Sequence, residues 1–127
     1  MNIYESGENY LEAILIIKER QTNVRSIDLA KEMNFSKASV SRAVNKLKDD
    51  GFINIDDSGY IELTTKGMDV ASKIYERHQF FTDFLIYLGV DQSIAAEDAC
   101  KIEHVLSQES YKAMKNYLTK AKQKNIK

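Results

Sequence analysis

The chain has 127 residues, a formal net charge of −1, no proline, five glycines and a single cysteine. That length suits one compact unit or two small subdomains, and a near-neutral charge does not announce nucleic-acid binding, so any DNA contact must come from local charge asymmetry. One cysteine excludes an internal disulfide, no stretch approaches a transmembrane span, and no signal peptide precedes Met1-Asn2-Ile3-Tyr4, so a cytoplasmic location and no membrane partner are expected.

Residues 5–20 carry apolar side chains at Tyr10, Leu11, Ile14, Leu15 and Ile17, which is helical spacing. Gln21-Thr22-Asn23 breaks the pattern. Ser26 is the expected N-cap of a second helix over 27–33, with Asp28 favourable in its first turn, and Asn34-Phe35 is the turn that follows. Ser36 caps a third helix running to about residue 50, which Gly51 stops. The period then changes. Residues 52–55 and 60–63 are rich in strand formers, and Asp56-Asp57-Ser58-Gly59 between them is turn chemistry. A long helix over 66–88 follows, capped by Thr65, ended by Gly89 and striped with Phe80, Phe81, Phe84, Leu85 and Leu88. Helices over 91–106 and 109–122 complete the chain. Within this stripe Phe80, Phe84, Leu85 and Leu88 are a candidate dimer surface or part of the intramolecular core. The expected fold is mainly α with a small β-hairpin.

Helix, tight turn, helix and two-stranded hairpin form a winged helix-turn-helix. Leu29, Ala30, Met33, Val40, Val44 and Leu47 fit the crossing of its two helices. The second of these begins with small or polar residues, Ser36, Lys37, Ala38, Ser39, Ser41 and Arg42, which allow close approach to a groove and offer hydroxyls to phosphates. Arg42 is the candidate for a bidentate contact to a guanine edge, while Arg25, Lys37 and Lys46 can neutralise phosphates. Double-stranded DNA is the partner this pattern implies.

The second constellation is Cys100-Lys101-Ile102-Glu103-His104. Read as a helix, it puts Cys100 one turn from both Glu103 and His104, so thiolate, carboxylate and imidazole can face one point. These five residues hold the only cysteine and one of two histidines; the other, His78, lies beside the apolar stripe of the long helix. The first helix offers Asn9 and Glu12 at i, i+3. Taken alone Glu12 reads as a surface charge; converging on the cysteine helix, it would complete a mixed O/N/S set. The spacing is neither a zinc finger nor His-Glu-x-x-His. A mixed, carboxylate-containing set suits Fe²⁺, Mn²⁺, Co²⁺ or Ni²⁺, and a thiolate tilts the choice toward Fe²⁺.

Arg77-His78 followed by Ala99-Cys100-Lys101-Ile102-Glu103-His104-Val105-Leu106-Ser107, behind a winged helix-turn-helix, resembles the diphtheria-toxin-repressor family of iron- and manganese-dependent transcriptional regulators. The resemblance covers about residues 8–107, and the length resembles the short branch that lacks an SH3-like domain. It implies a cytoplasmic homodimer that binds operator DNA when loaded with Fe²⁺ or Mn²⁺, most simply as a repressor. It implies a DNA-binding domain over 1–65 and a helical dimerisation and metal-binding domain over 66–127. It carries over Cys100, Glu103 and His104 as ligands, with Glu12 and His78 at matching positions, and Asn9 where the family has methionine or aspartate. Cysteine at 100 is the choice of the iron repressors, whereas Glu12 is similar to the manganese branch. Thr82 and Ala96 stand where iron repressors have ancillary ligands, and neither is a ligand type that would replace them. The alternative is a metal-independent winged-helix regulator. An enzyme is not expected, nor an organic substrate, because no oxyanion loop or second acid–base group accompanies Glu103.

Overall fold

The computed structural model describes residues 5–125. Among these, the order is α1 (Glu5–Arg20), α2 (Ser26–Met33), α3 (Lys37–Asp49), β1 (Ile53–Ile55), β2 (Ile61–Leu63), α4 (Thr65–Tyr87), α5 (Gln92–Ile102) and α6 (Gln108–Asn125). The chain forms two compact units, the first ending at Lys73 and the second beginning at Ile74, so the boundary falls inside α4. None of these helices is long and apolar enough to cross a membrane.

The first unit is built on the apolar faces of α1–α3. Tyr10, Leu11, Ile14 and Ile17 of α1, Leu29 and Ala30 of α2, and Val40, Val44 and Leu47 of α3 are buried in one cluster. The α3 set is spaced i, i+4, i+7, which leaves its opposite face to solvent. Ser36 caps α3, its hydroxyl accepting the Ser39 N–H at 3.1 Å. Asn34 ends α2 in the left-handed region at φ 56°, a conformation Asn tolerates, and the Phe35 N–H reaches back to the Ala30 carbonyl. At the start of α2, however, the N-cap is Arg25 rather than Ser26. The Asp28 carboxylate accepts the Arg25 N–H at 2.8 Å, so the acid three residues on satisfies the helix entrance and Ser26 becomes the first helical residue.

The strands pair antiparallel, Ile53 opposite Leu63 and Ile55 opposite Ile61. Asp56 sets the turn by accepting the N–H groups of Ser58 and Tyr60, both at 2.9 Å. The Ile61 N–H also bonds the Val24 carbonyl at 2.7 Å, tying the α1–α2 connection to the hairpin. The entrance of α4 is capped by Thr64, not by Thr65: the Thr64 hydroxyl donates to the Gly51 carbonyl and accepts the Gly67 N–H. Two adjacent threonines are equivalent in sequence, and the Gly51 carbonyl decides between them. Val70 and Ala71 then carry the first turns of α4 onto the first core.

In the second unit Phe81 of α4, Ala99 of α5 and Tyr111 of α6 are buried together, with Phe80, Ile102, Leu106 and Met114 against them. Phe80 meets Tyr111 edge-on at 5.4 Å, a favourable geometry for aromatic quadrupoles. The stripe is therefore divided. Phe80 and Phe81 enter the core, whereas Leu88 is 63% exposed, beside exposed Ile86 and Tyr87. Asp91 caps α5 through the Ser93 N–H, and its hydrogen bonds with Ser93 hold its carboxyl below the usual carboxylate range. The helix expected to continue to about residue 106 stops at Ile102.

Candidate metal centre and nucleic-acid interface

Glu103 is the C-cap of α5; its N–H bonds the Ala99 carbonyl, and the chain then turns sharply, with the Val105 N–H on the Ile102 carbonyl. Cys100 and Ile102 are thus on α5, while Glu103 and His104 belong to its cap and turn. The turn carries Glu103 into the interior, where it is 0% exposed. Its carboxylate lies between two imidazoles: His78 Nδ1 is 2.9 Å from Oε2, and His104 Nε2 is 3.3 Å from Oε1. The His104 side chain is 2% exposed and that of His78 26%. A buried carboxylate is costly unless polar groups or a cation face it. Here both oxygens face ring nitrogens, and one carboxylate with two imidazoles is a donor set suited to divalent transition ions. By donor type these residues fit such an ion.

Arg77, adjacent to His78 on α4, holds the same turn by its main chain. One guanidinium nitrogen donates to the Glu103 and Leu106 carbonyls at 3.1 and 2.8 Å, and the other donates to Gln108 Oε1 at 2.9 Å. The guanidinium carbon sits 5.0 Å from the centre of the Tyr111 ring. Ser107 caps the following helix, accepting the Ser110 N–H at 3.0 Å. Beside this latch, the hydrogen bond from Lys115 holds the Glu76 carboxyl below its usual range and raises the ammonium of Lys115, while burial raises the Tyr111 phenol.

The second unit therefore brings together His78, Glu103 and His104. Cys100 lies in the last turn of α5 with an exposed side chain. Thr82 spends its hydroxyl on the His78 carbonyl. Glu12 and Asn9 lie on α1 of the first unit, Glu12 buried at 7% exposure and Asn9 half-buried. Sequence reasoning did not single out Arg77 as functional; its signal was a cation directly beside the one histidine of the long helix.

On the first unit, Ser36 at the cap of α3 and Lys37, Ser41, Arg42 and Lys46 along it are exposed, and Ser39 is half-buried. Ser39 Oγ is 2.9 Å from Ser36 Oγ and accepts a long 3.5 Å bond from Arg42, so hydroxyls and guanidinium line one edge of the helix. A cleft lined by Ser26, Ile27, Lys37 and Ser41 opens where α2 meets the start of α3. Lys46 is shared with Asp50 at 3.5 Å. Arg25 stacks over the Tyr60 ring at 4.6 Å, at the turn end of the hairpin. Residues 53–63 of the hairpin carry Asp56, Asp57 and Glu62 and no Lys or Arg. The wing therefore supplies no cation of its own to phosphates.

Residues 2–61 match the family model described as iron dependent repressor, N-terminal DNA binding domain, and residues 64–125 match iron dependent repressor, metal binding and dimerisation domain. An uncharacterized HTH-type transcriptional regulator of Methanocaldococcus jannaschii is 38% identical over 122 residues, covering 94% of this chain and 98% of the relative. Among solved structures, the manganese regulator SloR superposes with a TM-score of 0.80 at 28% identity, over 94% of this chain and 55% of that one. A manganese-dependent transcriptional repressor in complex with manganese gives a TM-score of 0.82 at 25% identity, over 89% of this chain and 52% of that one. The chain thus spans about half the length of these two solved regulators.

Proposed function

The chain belongs to the iron-dependent repressor family, and on that premise we propose that it is a cytoplasmic, homodimeric regulator that binds operator DNA when loaded with Fe²⁺ or Mn²⁺ and represses the genes it controls. The observation that carries this reading is the fully buried Glu103 carboxylate between the His78 and His104 imidazoles. His78, Glu103 and His104 are the ligands of the second unit; Cys100, Glu12 and Asn9 are the further ligands we assign. When bound, the metal supplies positive charge against the buried carboxylate and fixed directions for its donors. Glu12 and Asn9 lie on α1 of the DNA-binding unit, and DNA affinity depends on metal loading. Such loading shifts the population only by the difference in affinity between the competent and incompetent arrangements.

The test uses chelator-stripped protein, dialysed anaerobically against Fe²⁺ and Mn²⁺, and duplexes selected from a random pool with metal present. Uptake of metal and a rise in affinity for the selected duplexes of about 5–150-fold, reversed by chelator, are expected. Operator binding indifferent to chelator would establish the metal-independent winged-helix alternative instead.

The DNA contacts are assigned to Ser36, Lys37, Ser39, Ser41, Arg42 and Lys46, at the cap or along the recognition helix α3, and to Arg25 at the N-cap of α2. An Arg42→Ala protein is expected to lose about 1–3 kcal/mol on the selected duplex and much less on random DNA. A Lys37→Ala protein should weaken binding to both alike, its salt slope shallower by about one. Binding isotherms at several salt concentrations separate the two patterns, and equal behaviour of both variants would remove Arg42 from base readout.

A further inference from the structure

We propose that Arg77 is a positioning residue of the metal centre, holding the turn that carries Glu103 and His104 in its ligating shape before any ion arrives. The inference rests on the metal reading above and goes beyond it, because Arg77 itself contributes no ligand atom.

Two adjacent α4 residues grip one turn in different ways. His78 takes the Glu103 carboxylate, and Arg77 takes the main chain on both sides of His104, through the Glu103 and Leu106 carbonyls. Carbonyls beyond a helix end have no intrahelical partner and need one from elsewhere. A guanidinium meets this need because it is planar and carries five donors in a fixed fork. Here the fork spans two carbonyls and the Gln108 side chain, which opens α6, while the guanidinium sits over the Tyr111 ring. The turn is thereby fixed to α4 and α6 at once, across sequence separations of 26 to 31 residues. An ammonium has three donors on a flexible stem and cannot reproduce that span. Groups that orient ligands without touching the ion typically alter metal affinity by about 10–100-fold.

The experiment compares chelator-stripped wild type with Arg77→Lys, Gln108→Ala and a Lys115→Met control, which disturbs the neighbouring Glu76 pair without touching the turn. Mn²⁺ affinity is read by competition with a chromophoric chelator, site geometry by the absorption bands of bound Co²⁺, and metal-free stability by thermal melting. Arg77→Lys is expected to bind Mn²⁺ about 10–100-fold more weakly. Its Co²⁺ bands should be altered, and its metal-free midpoint no lower than that of the control. Gln108→Ala is expected to show a smaller loss in the same direction. Wild type that binds neither ion sinks the metal reading itself. If wild type binds while Arg77→Lys binds as tightly with unchanged Co²⁺ bands, the positioning role is overturned. It is equally overturned if affinity falls only in step with the metal-free midpoint while the bands stay unchanged. Should Arg77→Lys fail to fold, Gln108→Ala decides: weakened Mn²⁺ binding sustains the role, and wild-type binding overturns it.

Discussion

A Glu103→Gln protein is expected to lose the whole metal-induced gain in operator affinity, about 5–150-fold, while keeping basal, salt-sensitive DNA binding. Glu103 is 0% exposed, and its two carboxylate oxygens face His78 and His104 at 2.9 and 3.3 Å. Glutamine has nearly the same shape, and its amide can still hydrogen-bond imidazole, so the turn is expected to survive. What it lacks is the negative charge, and the anionic oxygen is what a hard or borderline divalent ion requires of this position. A neutral amide also escapes the desolvation cost of a buried carboxylate, so the metal-free variant should melt at or above the wild-type temperature. The cations of α3 lie in the other unit, and the phosphate contacts assigned to them do not pass through Glu103. The measurement is operator binding with saturating Mn²⁺ and with chelator, beside metal-free melts. Retention of a full metal response would make the carboxylate–imidazole cluster a structural network rather than a metal centre.

Gly67→Ala is expected to destabilise the DNA-binding unit by about 3 kcal/mol, the upper end of the usual overpacking cost. A Cβ at position 67 would lie 2.0 Å from the Phe52 carbonyl oxygen and 3.0 Å from its carbon. Both atoms are main chain, so no rotamer change relieves the contact. The start of α4 would have to move, and there Thr64 joins the Gly51 carbonyl to the Gly67 N–H while Phe52 is 3% exposed in the core. For a unit of this size each kcal/mol lowers the midpoint by about 4–8 °C, so a loss of roughly 12–24 °C is expected. Gly59→Ala is the useful contrast. Gly59 has φ +83° with nothing within 4 Å of a built Cβ, so only backbone strain of about 1–2 kcal/mol opposes the change. Melting curves that rank Gly59→Ala as the more damaging would refute the close approach at Gly67.

Fold and site differ in how far the amino-acid sequence specifies them. The helix-turn-helix-hairpin order was legible because each element is specified within a few residues. Apolar spacing near 3.6 across α1–α3 gives way to strand formers on either side of Asp56-Asp57-Ser58-Gly59, and Ser36 and Gly51 bracket α3. His78, Glu103 and His104 were legible as candidates because chemistry-bearing residues are rare in this chain, and the resemblance to a known family rests on the same residues. Other features depended on groups distant in sequence. Read as an unbroken helix, Cys100 to His104 present three donors on one face; in the structure α5 stops at Ile102, and Arg77 on α4 takes the Glu103 and Leu106 carbonyls. Thr64 rather than Thr65 caps α4 because the Gly51 carbonyl, 13 residues earlier, accepts its proton. Phe80 and Phe81 turn inward while Leu88 stays outside because Tyr111, on another helix, fills the space beside the first two. Periodicity and capping act over three or four residues, so the amino-acid sequence alone determined where helices and strands form and which rare residues could carry chemistry. Which donors meet, which threonine caps and which aromatic faces are covered were decided by the tertiary structure, since those energies exist only when segments far apart in the chain come into contact.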